Sequence, residues 1–138
     1  MKRYITVARM TFGVIFLLGG VVHLVLGRLA PQGYEAFGRT AVLDDLSHLW
    51  VVFVMPNIGW LTVACAVFEC GVGAALLRGG DTARAAAFGA LGFFAFLLIL
   101  GYGFPVESVA EDLLKNRAGT PVMAGLLAPV AFCDSSRR

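Results

Sequence analysis

The feature that most constrains this chain is the spacing of its charges. Met10–Gly27 runs for 18 residues and Ala85–Val106 for 22 without a Lys, Arg, Asp or Glu, and Asn57–Leu77 carries Glu69 as its single charge. A helix needs about 20 apolar residues to cross the ~30 Å hydrocarbon core of a bilayer. Three such stretches in 138 residues leave no soluble solution, because so short a chain builds one small core and has nowhere to hide them. Charged residues make up only 14% of the chain, well below the share in ordinary soluble domains. A soluble enzyme and a disordered tail are excluded on the same ground. A formal net charge of +2 implies no nucleic-acid partner. The chain reads as a polytopic membrane protein whose first partner is the lipid bilayer.

The expected fold is all-α: a single transmembrane domain, 1–138, forming an integral membrane four-helix bundle. Its spans fall at approximately 8–29, 57–78, 83–106 and 117–133. Basic residues precede the first span as they do in a signal peptide. Its apolar run is too long for that, however, and no small-x-small cleavage pattern follows, so it is expected to stay attached. The fourth span is the shortest, charge-free for 16 residues from Ala118 to Cys133. Pro121 suits a first helical turn, whereas Pro129 is expected to kink the segment or end it. The stretch Leu46–Val54 is apolar but too short to cross. Pro56 disfavours helix at Met55, and Trp50 and Trp60 flank it as interfacial aromatics do. A short interfacial helix over roughly Asp44–Val54 and a turn at Met55–Asn57 are therefore expected before the second span.

With four spans, Lys2, Arg3, Arg9, Arg78, Arg84, Arg137 and Arg138 fall on one side and Arg28, Arg39, Lys115 and Arg117 on the other. The positive-inside rule then places both termini inside. Helices in lipid associate through close packing of small residues. Gly19, His23 and Gly27 form such a row on the first span, and Ala66, Cys70 and Ala74 one on the second, with Gly71 and Ala75 beside it. Ala85 with Gly89 and Ala86 with Ala90 mark the third.

Polar chemistry concentrates on few residues. An ionised carboxylate deep in a span costs about 2.5–3.5 kcal/mol even on a lenient scale, so Glu69 must be neutral, paired or facing a wet cavity. Thr62, Cys65, Glu69 and Gly73 share one stripe at three- and four-residue steps. Counted from the helix ends, His23 lies nearer the outer surface than Glu69 by about 10 Å of helical rise, which leaves a chain through Thr62 or water as the link between them. Tyr102 falls near the level of His23, and His48 and Asn57 in the outer segment are placed to approach the same region. One reading makes His23, Glu69 and Tyr102 a proton-handling or quinone-headgroup site, since quinone carbonyls need donors and a titratable pair can supply protons. The other makes Glu69 an interhelical hydrogen bonder and His23 a packing residue. Cys65, Cys70 and Cys133 show no CxxC spacing, and no His/Cys/carboxylate cluster stands at metal-ligand spacing, so no metal site is expected. Gly79–Gly80–Asp81 is a turn, not a phosphate cradle, and Phe93, Phe94 and Phe96 are expected to face lipid or bundle.

The run RMTFGVIFLLGGVVH, Arg9 to His23, resembles the first helix of DoxX-like membrane proteins, with Arg9, Gly13, Phe16, Gly20 and His23 at the patterned positions. His23 stands where many members carry lysine. The stretch ECGVGAALLRGGDTARAAA resembles the family's Glu-x-x-x-Gly segment, with Glu69, Gly73, Gly79 and Thr82 at the matching positions. The resemblance implies a four-helix protein of a bacterial cytoplasmic membrane. It further implies a membrane subunit or anchor associated with quinone-linked or thiol-redox chemistry, with a quinone as ligand and a redox protein as partner. No redox-cofactor ligand set is recognisable, so a self-sufficient oxidoreductase is not expected. The alternative from a different class is a non-catalytic bundle that binds or passes a small lipophilic solute or scaffolds a partner.

Overall fold

The computed structural model describes residues 1–133 and is all-helical in its regular structure, with no strand among them. Arg137 and Arg138, counted above with the inner charges, lie outside the described residues. The helices are α1 (Lys2–Leu29), α2 (Glu35–Thr40), α3 (Asp44–Leu49), α4 (Ile58–Arg78), α5 (Gly80–Leu100), α6 (Val109–Asp112) and α7 (Gly119–Phe132). Three helical stretches, Lys2–Leu29, Asp44–Arg78 and Gly80–Leu100, are long and apolar enough to cross a membrane. α1 packs along α4, α5 lies between α4 and α7, and α7 also touches α1.

The seam between α1 and α4 is built on missing side chains. A Cβ at Gly20 would lie 2.5 Å from Cys70 Sγ, and one at Gly13 would lie 2.7 Å from Leu77. Gly27 abuts Thr62 in the same way, and Gly73 faces Gly13 O and Leu17. These contacts set an antiparallel register in which Gly13, Gly20 and Gly27 climb α1 as Gly73, Ala66–Cys70 and Thr62 descend α4. The row expected on α1 is present and gains Gly20. On α4 the facing row is Thr62, Ala66, Cys70 and Gly73, whereas Ala74 is exposed and Gly71 meets nothing within 4 Å. Phe12, Phe16 and Phe94 cluster behind this seam at centroid distances of 5.8 and 6.1 Å, with Leu76, Ala87, Ala90, Leu127 and Ala131 buried around them.

Arginines close three helix ends, where unpaired carbonyls carry partial negative charge. Arg9 Nη1 donates to Leu76 O and Leu77 O at 2.6 Å each, at the end of α4. Arg84 Nε donates to Ala131 O at 3.1 Å in α7. Arg117 donates to Leu98 O at the end of α5 and to Thr40 O. The start of α1, the α4–α5 turn and the end of α7 thus meet at one end of the molecule, and the end of α5 meets the start of α7 at the other.

The expected break at Pro56 is corrected by the structure. Helical backbone runs unbroken from Asp44 to Arg78, through a wide π turn at Trp50–Val54 and a 3-10 turn at Met55–Asn57. The wide turn shifts the hydrogen-bond register where proline supplies no N–H. Asn57 Nδ2 donates to Phe53 O at 2.8 Å, so a side chain satisfies a carbonyl there. A second wide turn, Leu113–Arg117, leads into α7. The third apolar helix ends at Leu100 instead of continuing to Val106, because Gly101 takes φ 81°. Pro129 lies inside α7, three residues before its last residue, Phe132, and does not end it. Gly79, with φ 88°, joins α4 directly to α5, as the glycine pair predicts.

Candidate functional site

α1 and α4 bring His23 and Glu69 together. His23 Nε2 stands 3.7 Å from Glu69 Oε1, so the expected separation in depth does not hold. Reckoning from helix ends misled because helical backbone continues before Ile58 and the glycine seam sets the register. His23 is level with Cys65–Ala66, which leaves Glu69 about one turn away, within side-chain reach. The carboxylate is seated by Gly19, where a Cβ would lie 2.6 Å from Glu69 Oε2. Glu69 is buried, and its Oε2 has no hydrogen-bond partner among the described residues.

His23 is held from the other side. Its Nδ1 shares a 2.8 Å hydrogen bond with the Tyr34 hydroxyl, and the two rings stack at 5.7 Å. Tyr34 stacks on Phe37 at 5.9 Å, and Phe37 on Trp50 at 6.3 Å. Trp50 Nε1 donates to Tyr34 O at 2.8 Å, which ties the segment after α1 to the wide turn before α4. Gly38 makes room for the indole, since a Cβ there would lie 2.7 Å from it. Burial pushes the Tyr34 phenol above its ordinary pKa, so it keeps its proton at neutral pH, and its neutral hydroxyl can either donate to Nδ1 or accept from it.

These groups line a cavity of about 430 Å³ with a mostly apolar wall. Glu69, His23, Cys65 and Tyr34 stand together on one side, and Phe93, Phe96 and Leu100 face them from α5. Phe93 and Phe96 therefore belong to the cavity, and Phe94 to the core. Thr62 also lines it, but its hydroxyl donates back to Ile58 O at 2.9 Å. Tyr102 lines it from beyond α5 and shares a 2.8 Å hydrogen bond with Thr120 Oγ1, not with His23. His48 and Asn57 are not among the lining residues. His48 is exposed, and Asn57 is occupied by Phe53 O and by Trp60 Nε1 at 3.0 Å. A second cavity of about 560 Å³ lies at the arginine-rich end. Its Arg9 and Arg84 already spend donors on helix carbonyls, so it reads as a structural end.

Sequence reasoning missed Tyr34 as the partner of His23 and Cys65 as a member of the cluster. Cys65 was visible on the stripe with Glu69, at a spacing of four. Nothing local marked Tyr34, whose position depends on how the chain turns after α1. Comparison with protein-family models, curated proteins and solved structures finds no match to this chain.

Proposed function

We propose that this chain is a DoxX-like four-helix protein of a bacterial cytoplasmic membrane, with both termini inside. Its cavity would hold a small lipophilic molecule with a hydrogen-bonding headgroup, a quinone being the best match. In this role it serves as a membrane subunit or anchor for quinone-linked or thiol-redox chemistry carried out with a partner protein. The observation that carries the reading is the buried Glu69 carboxylate with an unpartnered oxygen beside His23 on the wall of an apolar cavity. A carboxyl serving only to bond two helices would have its polar atoms satisfied, since a buried unpaired group costs about 1–3 kcal/mol. A flat, greasy ring with carbonyl oxygens suits the aromatic wall, and the histidine and carboxyl supply its donors. The co-location of Lys2, Arg9, Arg78 and Arg84 at one end supports the inward orientation of that end.

Quinone binding to the detergent-purified protein tests this, measured across pH for wild type, Glu69→Gln and His23→Asn. Glu69→Gln preserves shape, so folding is expected to persist while affinity falls about tenfold or more, or ~1.4 kcal/mol. His23→Asn is expected to weaken binding alongside it. Wild-type binding and pH dependence in both variants would overturn the headgroup reading and leave a non-catalytic bundle.

A further inference from the structure

Three metal-ligating side chains converge on the cavity wall from two helices. One ligand atom each from His23, Cys65 and Glu69 lies within 4.8 Å of the others. We propose that these residues form a site for a borderline divalent cation, best matched by Zn²⁺, with its fourth position open to the cavity.

The donor set is the first argument. An imidazole nitrogen, a thiolate and a carboxylate are zinc ligands, and three protein ligands plus an open position is the pattern of zinc sites that act on a bound molecule. Geometry is the second. Around an ion with bonds of about 2.0–2.3 Å, tetrahedral ligand atoms stand roughly 3.3–3.8 Å apart, and the His23 Nε2–Glu69 Oε1 separation is already 3.7 Å. Cys65 and Glu69, one helical turn apart on α4, present their donors on the same face, with the thiol within 4.8 Å of both other ligand atoms.

The histidine is also prepared for the role. Ligand histidines characteristically donate their other ring N–H to an acceptor, which fixes the tautomer. Tyr34 offers that acceptor at Nδ1, leaving the Nε2 lone pair toward Glu69. Charge supplies an independent argument. A divalent cation with one thiolate, one carboxylate and one neutral imidazole sums to zero, the balance a low-dielectric setting demands. Binding releases the thiol proton to solvent and gives the orphaned carboxylate a partner.

The test uses the full chain, purified in detergent, stripped with chelator and titrated with Co²⁺ as a coloured substitute for Zn²⁺. The expected result is saturation at about one equivalent, with tetrahedral visible bands and a near-ultraviolet thiolate-to-metal band, both erased by added Zn²⁺. Cys65→Ser should abolish the thiolate band, whereas Cys70→Ser and Cys133→Ser keep it. Tyr34→Phe should weaken binding by about 10–100-fold by freeing the imidazole. Zn²⁺, unlike Mg²⁺, should also protect Cys65 of the wild type from maleimide, a readout that needs no variant to fold. Absence of the thiolate band and of protection in folded wild type would overturn the proposal, as would a band that survives Cys65→Ser. A bound ion would occupy the His23 and Glu69 atoms that the quinone reading assigns as donors, so the two readings describe alternative states of one wall. The metal is read without any lipophilic ligand, and its outcome and that of quinone binding are decided separately.

Discussion

A single methyl group decides whether α1 and α4 can meet at Gly20. A Cβ there would lie 2.5 Å from Cys70 Sγ and 2.9 Å from Ala66 O, whereas one at Gly59 meets nothing within 4 Å. Gly20→Ala is expected to cost about 1–3 kcal/mol by forcing the helices apart. Gly59→Ala, in open space, should be neutral or gain up to about 1 kcal/mol. Unfolding in detergent followed by tryptophan fluorescence checks the pair, and equal shifts would remove the seam as the cause. At this scale the stripe through Thr62, Cys65, Glu69 and Gly73 was legible, because helical periodicity alone puts those side chains on one face. The meeting of Glu69 with His23 was not, since periodicity gives a face but no relative height between two helices. Asn116 was equally hidden. It is fully buried, accepts from Phe104 N at 2.8 Å and donates to Phe104 O at 3.1 Å, thereby fixing the irregular chain after α5. No local pattern marks an asparagine whose partner lies in a loop.

Among the elements, the segment before α4 shows where a proline rule gives way. Pro56 lacks an N–H and disfavours helix before it, yet the wide turn at Trp50–Val54 lets helical backbone continue. Asn57 completes the arrangement, donating to Phe53 O and accepting from Trp60 Nε1. Asn57→Ala is expected to lower stability by about 0.5–1.5 kcal/mol and to alter the Trp60 emission. Thermal unfolding with fluorescence detection measures both, and an unchanged midpoint would show that the carbonyl is satisfied without the side chain. The existence of the three long helices was legible because an apolar run of that length has one stable solution in lipid. Their ends were not. Gly101 stops α5 six residues before the apolar run does, because backbone geometry and not hydrophobicity terminates a helix.

For the whole molecule, the fasteners at each end define a direction of travel. α7 leaves the end where Arg117 binds the last carbonyls of α5 and arrives where Arg84 meets Ala131 O, so it returns alongside α5. If it spans the membrane with the other three, Cys133 and the α4–α5 turn face the same compartment. With the remaining cysteines replaced, a membrane-impermeant maleimide is expected to reach Glu107→Cys on intact cells, and to reach Cys133 and Asp81→Cys only after permeabilisation. Outside labelling of Cys133 alone would leave three crossings. The basic cluster at one end was legible from charge counts. The arginines' actual work, closing helix ends, required knowing which ends are neighbours. The wide turns carry a further consequence, best put in genetic terms. Each holds one residue beyond the α-helical repeat, so the chain on either side is out of phase by about 100°. Losing a single codon within Trp50–Val54 would restore an ordinary helix without touching the cavity's own lining on α1 or α5. It would also swing Asp44–Leu49 around its axis and carry the Trp50 indole off the backbone carbonyl of Tyr34. The frame that holds His23 thus hangs on a one-residue surplus, a place where deletion does what few substitutions can.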